Sequence, residues 1–191
     1  MDKHQPINSE PGILKLSHAQ VFLYLLLAVV TILFLFLTNA YVFRMNFEDW
    51  QSLPVPSLLW VNTCSLVVAS MGMGWATRAA KTNNKNNLKI GLFVGGLFAL
   101  FFLTGQFLAW QQLIAYGYVL ADNPANTFFY LITALHGLHI SGGIVAWIVI
   151  TKKSWKTDDA KSRSAQVSLL ATYWHYLLLI WVMMFGLFLS T

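Results

Sequence analysis

From Val21 onward the chain alternates long apolar runs with short polar breaks, and five of those runs contain no Asp, Glu, Lys or Arg. They cover approximately 21–43, 58–77, 90–115, 127–150 and 167–189. Each is close to the ~20 residues that a helix rising ~1.5 Å per residue needs to cross ~30 Å of hydrocarbon. Helices are expected throughout, because an open sheet would leave backbone N–H and C=O groups without partners in lipid. The pattern predicts an all-α polytopic membrane protein, with a polar cytoplasmic tail over 1–20 and a single five-helix membrane domain over 21–190. The first run is too long for the apolar part of a signal peptide and no small-x-small cleavage pattern follows it, so it reads as a retained span.

The breaks carry their own signals. Leu53-Pro54-Val55-Pro56 interrupts helical continuity ahead of the second span, and Asp122-Asn123-Pro124 reads as a turn followed by helix entry. Ser17 is placed to cap the first helix. Of the twelve basic residues, only Arg44 falls on one side of the predicted bundle. The others fall in the tail (Lys3, Lys15), between Arg78 and Lys89, and between Lys152 and Arg163. This asymmetry predicts a cytoplasmic N-terminus and a C-terminus outside. A net charge of +5 is then explained by topology and attraction to anionic lipid, with no nucleic acid as partner.

Composition agrees with a membrane chain: 57% of residues are hydrophobic and 10% charged. The single cysteine, Cys64, allows no intrachain disulfide and no thiolate cluster. Small residues recur at spacings of four in Gly91, Gly95 and Ala99 and in Gly72, Ala76 and Ala80. These make flat faces for close packing, within the bundle or against another subunit. The first span has no such stripe, and its leucines Leu23 to Leu37 with Phe34 and Phe36 suit lipid or a loosely packed partner. Trp50, Trp60, Trp75, Trp110, Trp147 and Trp155 lie near span ends and fit an interfacial aromatic belt.

Chemistry concentrates in Ala134-Leu135-His136-Gly137-Leu138-His139-Ile140-Ser141, where two imidazoles sit in an uncharged apolar run. A polar side chain at membrane depth is costly unless partnered, so His136 and His139 are the first functional candidates. His139 lies ~16 Å along the fourth span from its cytoplasmic end, and His175 ~12 Å along the fifth. A bis-imidazole haem site between these helices is geometrically open, although a two-haem cytochrome needs more axial ligands than the spans supply. A zinc or copper site lacks a neighbouring carboxylate or thiolate. The expectation is no metal, and imidazoles hydrogen-bonded to Ser141, Tyr173, Thr172 or backbone carbonyls. No span contains Asp or Glu, which argues against a carrier with an intramembrane carboxylate. Ile140-Ser141-Gly142-Gly143 is not the Gly-x-Ser-x-Gly of a hydrolase, and no catalytic residue is assigned.

Thr127-Phe128-Phe129, His136-Gly137-Leu138-His139 and Tyr173-Trp174-His175-Tyr176 with Trp181 resemble subunit III of the haem-copper terminal oxidases, of which cytochrome c oxidase is one. Asn62-Thr63 with Ser70 and Trp75-Ala76 on the second span, and Gln106 on the third, are similar to the same family. The five spans are similar to its short bacterial form. The resemblance implies an accessory chain of the bacterial cytoplasmic membrane that binds no haem or copper itself. Such a chain packs beside subunit I in a complex with subunit II, binds phospholipid in a cleft, and sustains turnover. Dioxygen reduction and proton pumping then belong to the partner subunits, with haem and copper there. By the same resemblance His136, His139, Trp174 and His175 are signature polar positions fixing the last two helices, and they, with Tyr173, Gln106 and Asn62, are expected as structural, lipid or subunit contacts. The family's acids are missing near Val30, at Ala109 and at Leu178, which would fit unusual partners such as an electron-donating quinol-oxidising complex. The alternatives are the matching subunit of a quinol oxidase or of a nitric oxide reductase complex, and then an independent small membrane carrier or b-type haem protein.

Overall fold

Ser17 opens the first helix as its sequence position implies: its hydroxyl accepts from the Gln20 N–H at 3.3 Å, while the Gln20 side chain accepts from the Ser17 N–H at 2.8 Å. This reciprocal capping box meets two of the N–H groups that a helix start leaves unpaired. The computed structural model describes residues 17–120, 122–156 and 159–190. Most of the polar tail, Lys3 and Lys15 included, lies outside the described residues. The elements in chain order are α1 (His18–Arg44), α2 (Leu58–Lys81), α3 (Lys85–Ala115), α4 (Pro124–Trp155) and α5 (Ser164–Leu189), with a 3-10 turn at Lys161–Arg163 before α5. All five helices are long and apolar enough to cross a membrane. Several overrun the charge-free runs by a turn, because basic residues such as Lys81 and Lys85 end helices at the depth where a long side chain can reach water.

α2, α3, α4 and α5 form a closed ring, each packed on the next, and α1 lies outside it against α4 and α5. The tightest seam joins α2 to α3. A Cβ on Gly72 would fall 2.7 Å from the Gly95 backbone nitrogen, and one on Gly91 would fall 2.6 Å from that of Ala76. The two small-residue stripes therefore meet each other within the chain, main chain against main chain. Ser65 adds a hydrogen bond to the Phe98 carbonyl at 3.1 Å across this seam.

Two sequence expectations need correction. α1 is not uniformly outward: Leu23, Val30, Phe34, Leu37 and Tyr41 form a buried stripe at helical spacing, while Leu25, Leu35 and Phe36 stay exposed. A helix apolar on every side hides such a stripe, since lipid and protein neighbours are equally apolar. The tryptophans are also not one belt. Trp110 donates to the Thr133 hydroxyl at 3.0 Å and Trp147 to the Leu92 carbonyl at 2.8 Å, so both tie α3 to α4. Trp60, Trp75 and Trp155 are exposed as a belt requires.

On the side predicted to be outside, Asn123 caps α4 through the Ala125 N–H at 3.0 Å and holds the Gln51 carbonyl through its amide at 2.5 Å. It ties the proline-rich loop to the start of α4. Arg44 pairs with Asp49 and lies over the Phe47 ring at 4.7 Å. The Arg44 hydrogen bonds hold the Asp49 carboxyl below its ordinary value, and Asp49 in turn raises the Arg44 guanidinium.

Candidate functional site

His136 on α4 is completely enclosed. Its imidazole is boxed by three rings from three helices: Phe34 of α1 at 6.2 Å between centroids, Phe102 of α3 at 5.7 Å and Trp181 of α5 at 5.2 Å. Neither ring nitrogen meets a hydrogen-bonding group among the described residues. Trp181 in turn donates to the Thr63 hydroxyl of α2 at 2.9 Å and packs edge-on to Phe102 at 4.8 Å. One imidazole and one indole thus bring all five helices to a common point.

His139, one turn along α4, uses Nδ1 to donate to the Leu135 carbonyl of its own helix at 2.7 Å. Because a carbonyl only accepts, this bond places the proton on Nδ1 and leaves Nε2 as an acceptor in the neutral ring. Phe34 also touches this ring, with 5.7 Å between centroids, so the α1 phenyl lies against both histidines. The bond that joins α4 to α5 comes from a different group. Tyr173 donates its hydroxyl to the main-chain carbonyl of His139 at 2.9 Å. Beside it Trp174 is buried, and a Cβ on Gly143 would approach its ring to 2.7 Å, so the α4 glycine makes the room that the indole fills.

His175 does not face His139. Its Nδ1 meets the Ser70 hydroxyl of α2, and its ring edge lies over Gly74 of the same helix. The imagined bis-imidazole site between α4 and α5 is therefore not formed. The two rings lie on different seams, α4 with α1 and α5 with α2. Ser141 and Thr172 also differ from expectation, because each returns its hydroxyl to a carbonyl one turn back on its own helix, Gly137 at 2.8 Å and Ser168 at 3.0 Å. Among the described residues no three His, Cys, Asp or Glu side chains converge as a metal site would need.

Gln106 and Asn62 are both buried in the ring. Asn62 packs against Gly105, whose absent side chain it replaces, and its Nδ2 finds no partner among the described residues. Gln106, next to Gly105 on α3, has no partner for either amide atom among the same residues. Val30 and Ala109, where the resemblance leads one to expect acids, are buried among apolar neighbours.

Other inter-helix bonds escaped the sequence reading. Tyr176 donates to the Leu27 carbonyl at 3.1 Å and shares a hydrogen bond with the Thr31 hydroxyl at 2.7 Å, fastening α5 to α1. Thr63 and Ser70 both serve α5, receiving Trp181 and His175 in one antiparallel register. Their spacing of two turns on one face of α2 was the available signal.

A groove of about 490 Å³ runs between α1, α4 and α5, walled by Phe22, Leu26, Leu138, Ala146, Ile150 and Leu169. His139 and Tyr173 lie along it, and Gln166 lies at its end beside Arg163. Lys152 and Lys153 follow the groove residue Ile150 in the last turn of α4.

These features define a membrane protein of five apolar helices whose polar side chains staple the helices together. Residues 44–190 match the family model described as cytochrome c oxidase subunit III, and the chain belongs to that family. It is 25% identical over 136 residues to the probable cytochrome c oxidase subunit 3 of Mycobacterium tuberculosis, covering 71% of this chain and 64% of that one. It is 26% identical over 125 residues to the cytochrome bo(3) ubiquinol oxidase subunit 3 of Pseudomonas aeruginosa, covering 65% and 60%. The chain thus spans a little under two thirds of the length of these relatives. The cytochrome c oxidase subunit 3 of Spodoptera frugiperda is 23% identical over 125 residues, with 65% of this chain and 83% of that one aligned.

Proposed function

We propose that this chain is a non-redox subunit of a respiratory haem-copper oxidase in the bacterial cytoplasmic membrane. It packs beside the haem-bearing subunit I, in a complex with subunit II, and supports their reduction of dioxygen and pumping of protons. The observation that carries the reading is the family match over residues 44–190, joined to the use of Tyr173, Tyr176, Trp181 and His175 as fasteners between helices. Haem and copper are assigned to the partners. The groove between α1, α4 and α5 fits a phospholipid, with acyl chains along its apolar wall and an anionic headgroup at the end where Gln166 meets Arg163.

The electron donor is set by other chains. Cytochrome c is the donor favoured here, because the Mycobacterium and Nocardia relatives are named as cytochrome c oxidase subunits. The Pseudomonas relative, named as part of a ubiquinol oxidase, supports a quinol oxidase as the second reading. An affinity tag on this chain, purification in mild detergent, a redox difference spectrum and mass spectrometry test the proposal together. A large haem-bearing subunit in the eluate supports it. A monodisperse single chain without a haem partner, or with its own bound haem, overturns it.

A further inference from the structure

Five buried polar atoms inside the α2–α5 ring have no hydrogen-bonding partner among the described residues: both nitrogens of His136, both amide atoms of Gln106 and Nδ2 of Asn62. Contacts put the three residues at one level. Phe102 of α3 touches the His136 ring, 5.7 Å between centroids, and Trp110, two turns further along α3, donates to Thr133 in the turn of α4 that precedes His136. Gln106 stands midway between Phe102 and Trp110, opposite that same turn of α4. Asn62 of α2 lies against Gly105, the residue before Gln106, and its neighbour Thr63 receives the Trp181 N–H beside His136. His136 is ~18 Å along α4 from Pro124, well inside a ~30 Å hydrocarbon layer. A polar atom left bare at that depth is costly. The nearby hydroxyls are already committed: Thr133 donates to the Phe129 carbonyl at 2.7 Å and Thr63 to the Leu59 carbonyl at 2.8 Å, while each receives a tryptophan.

The five atoms are of both kinds. A neutral imidazole donates from one nitrogen and accepts at the other, the Gln106 and Asn62 amide nitrogens donate, and Gln106 Oε1 accepts. An anion would serve only the donors, and a metal ion only the lone pairs. Water serves both and is small enough to lie between packed helices. A groove of about 330 Å³ between α3 and α4 gives it a way in, with Gln106 and Gly137 in its wall. Gly137, beside His136, keeps that wall low: where its side chain would stand, the nearest atom is a Leu103 methyl at 3.8 Å. We propose that His136, Gln106 and Asn62 bind a cluster of ordered water inside the ring, bridging α2, α3 and α4. This hydrated layer is a property of the chain's own interior and stands whether or not the oxidase reading does.

A cryo-EM map of the assembly in which the full chain purifies, at a resolution that shows ordered water, tests the site directly. Water density within ~3.2 Å of the Gln106 amide and of a His136 nitrogen is expected. Direct contact between these side chains with no density between them would overturn the proposal, as would the continuous density of a longer molecule. A double-variant cycle reads the same water in solution. Gln106→Met and His136→Phe are made singly and together, and the half-life of the folded chain in warm detergent is measured. Because both residues hold the same water, the first substitution already disrupts it. The double variant should therefore outlast the product of the two single effects by about threefold, the scale of polar coupling between membrane helices. Single effects that simply multiply would overturn the proposal, and if the double variant fails to fold, the map of the unaltered protein still decides.

Discussion

Tyr173 on α5 donates its hydroxyl to the main-chain carbonyl of His139 on α4, at 2.9 Å. The α4–α5 link therefore depends on the tyrosine and on the backbone at His139, not on the imidazole. Tyr173→Phe should cost about 1 kcal/mol, the net worth of one such bond, whereas His139→Leu should keep this link. Thermal unfolding of the purified complex, followed by release of this subunit, distinguishes the two variants.

The α2–α3 seam predicts a graded response to single methyl groups. Gly72→Ala and Gly91→Ala push a Cβ into backbone atoms of the facing helix and should each cost about 1–3 kcal/mol. Gly95→Ala meets the Met73 side chain first, at 2.6 Å from its terminal Cε, and a methionine yields more readily than backbone, so the loss should be smaller. Gly142→Ala meets nothing within 4 Å and should be silent. Subunit retention after a heat step gives the order.

Phe34 and Phe36 lie two residues apart on α1 but have opposite fates. Phe34→Ala opens a cavity beside His136 and His139 and should cost about 3 kcal/mol, as large-to-small changes in packed interiors do. Phe36, 71% exposed, should tolerate alanine. Differential scanning of both variants in the same detergent checks the contrast.

Five spans were legible from charge-free runs alone, because the bilayer imposes a length that the sequence must meet. The close seam was legible from Gly72, Gly91 and Gly95, since only small residues let backbones touch. The buried stripe of α1 was not, because in lipid an inward phenylalanine such as Phe34 and an outward one such as Phe36 look alike. Nor were the partners of the histidines. Depth arithmetic placed His139 and His175 at similar heights, but height carries no information on azimuth, and α5 turns His175 toward Ser70 and Tyr173 toward His139.

Asp49 offers a pH readout at the predicted outer surface. Its folded carboxyl titrates below the ordinary 3.8 because Arg44 hydrogen-bonds the ionised form. The contribution of the pair is present above that ordinary value and is lost as pH falls through the lower folded one. Carboxyl NMR should give a midpoint under 3.8 that returns toward it in Arg44→Gln. Asp49 is solvent-exposed and Arg44 half-buried at the end of α1, so the pair is screened by water and Asp49→Asn should leave assembly unchanged.

The central claim is that His136, His139 and His175 pack helices together and carry no redox centre. The most direct test is the redox difference spectrum of complexes carrying His136→Leu, His139→Leu or His175→Leu. The account predicts an unaltered haem spectrum in each assembled complex, with this subunit lost faster from the His136→Leu and His175→Leu complexes. Disappearance of a haem signal from a complex that still contains all its subunits would contradict it.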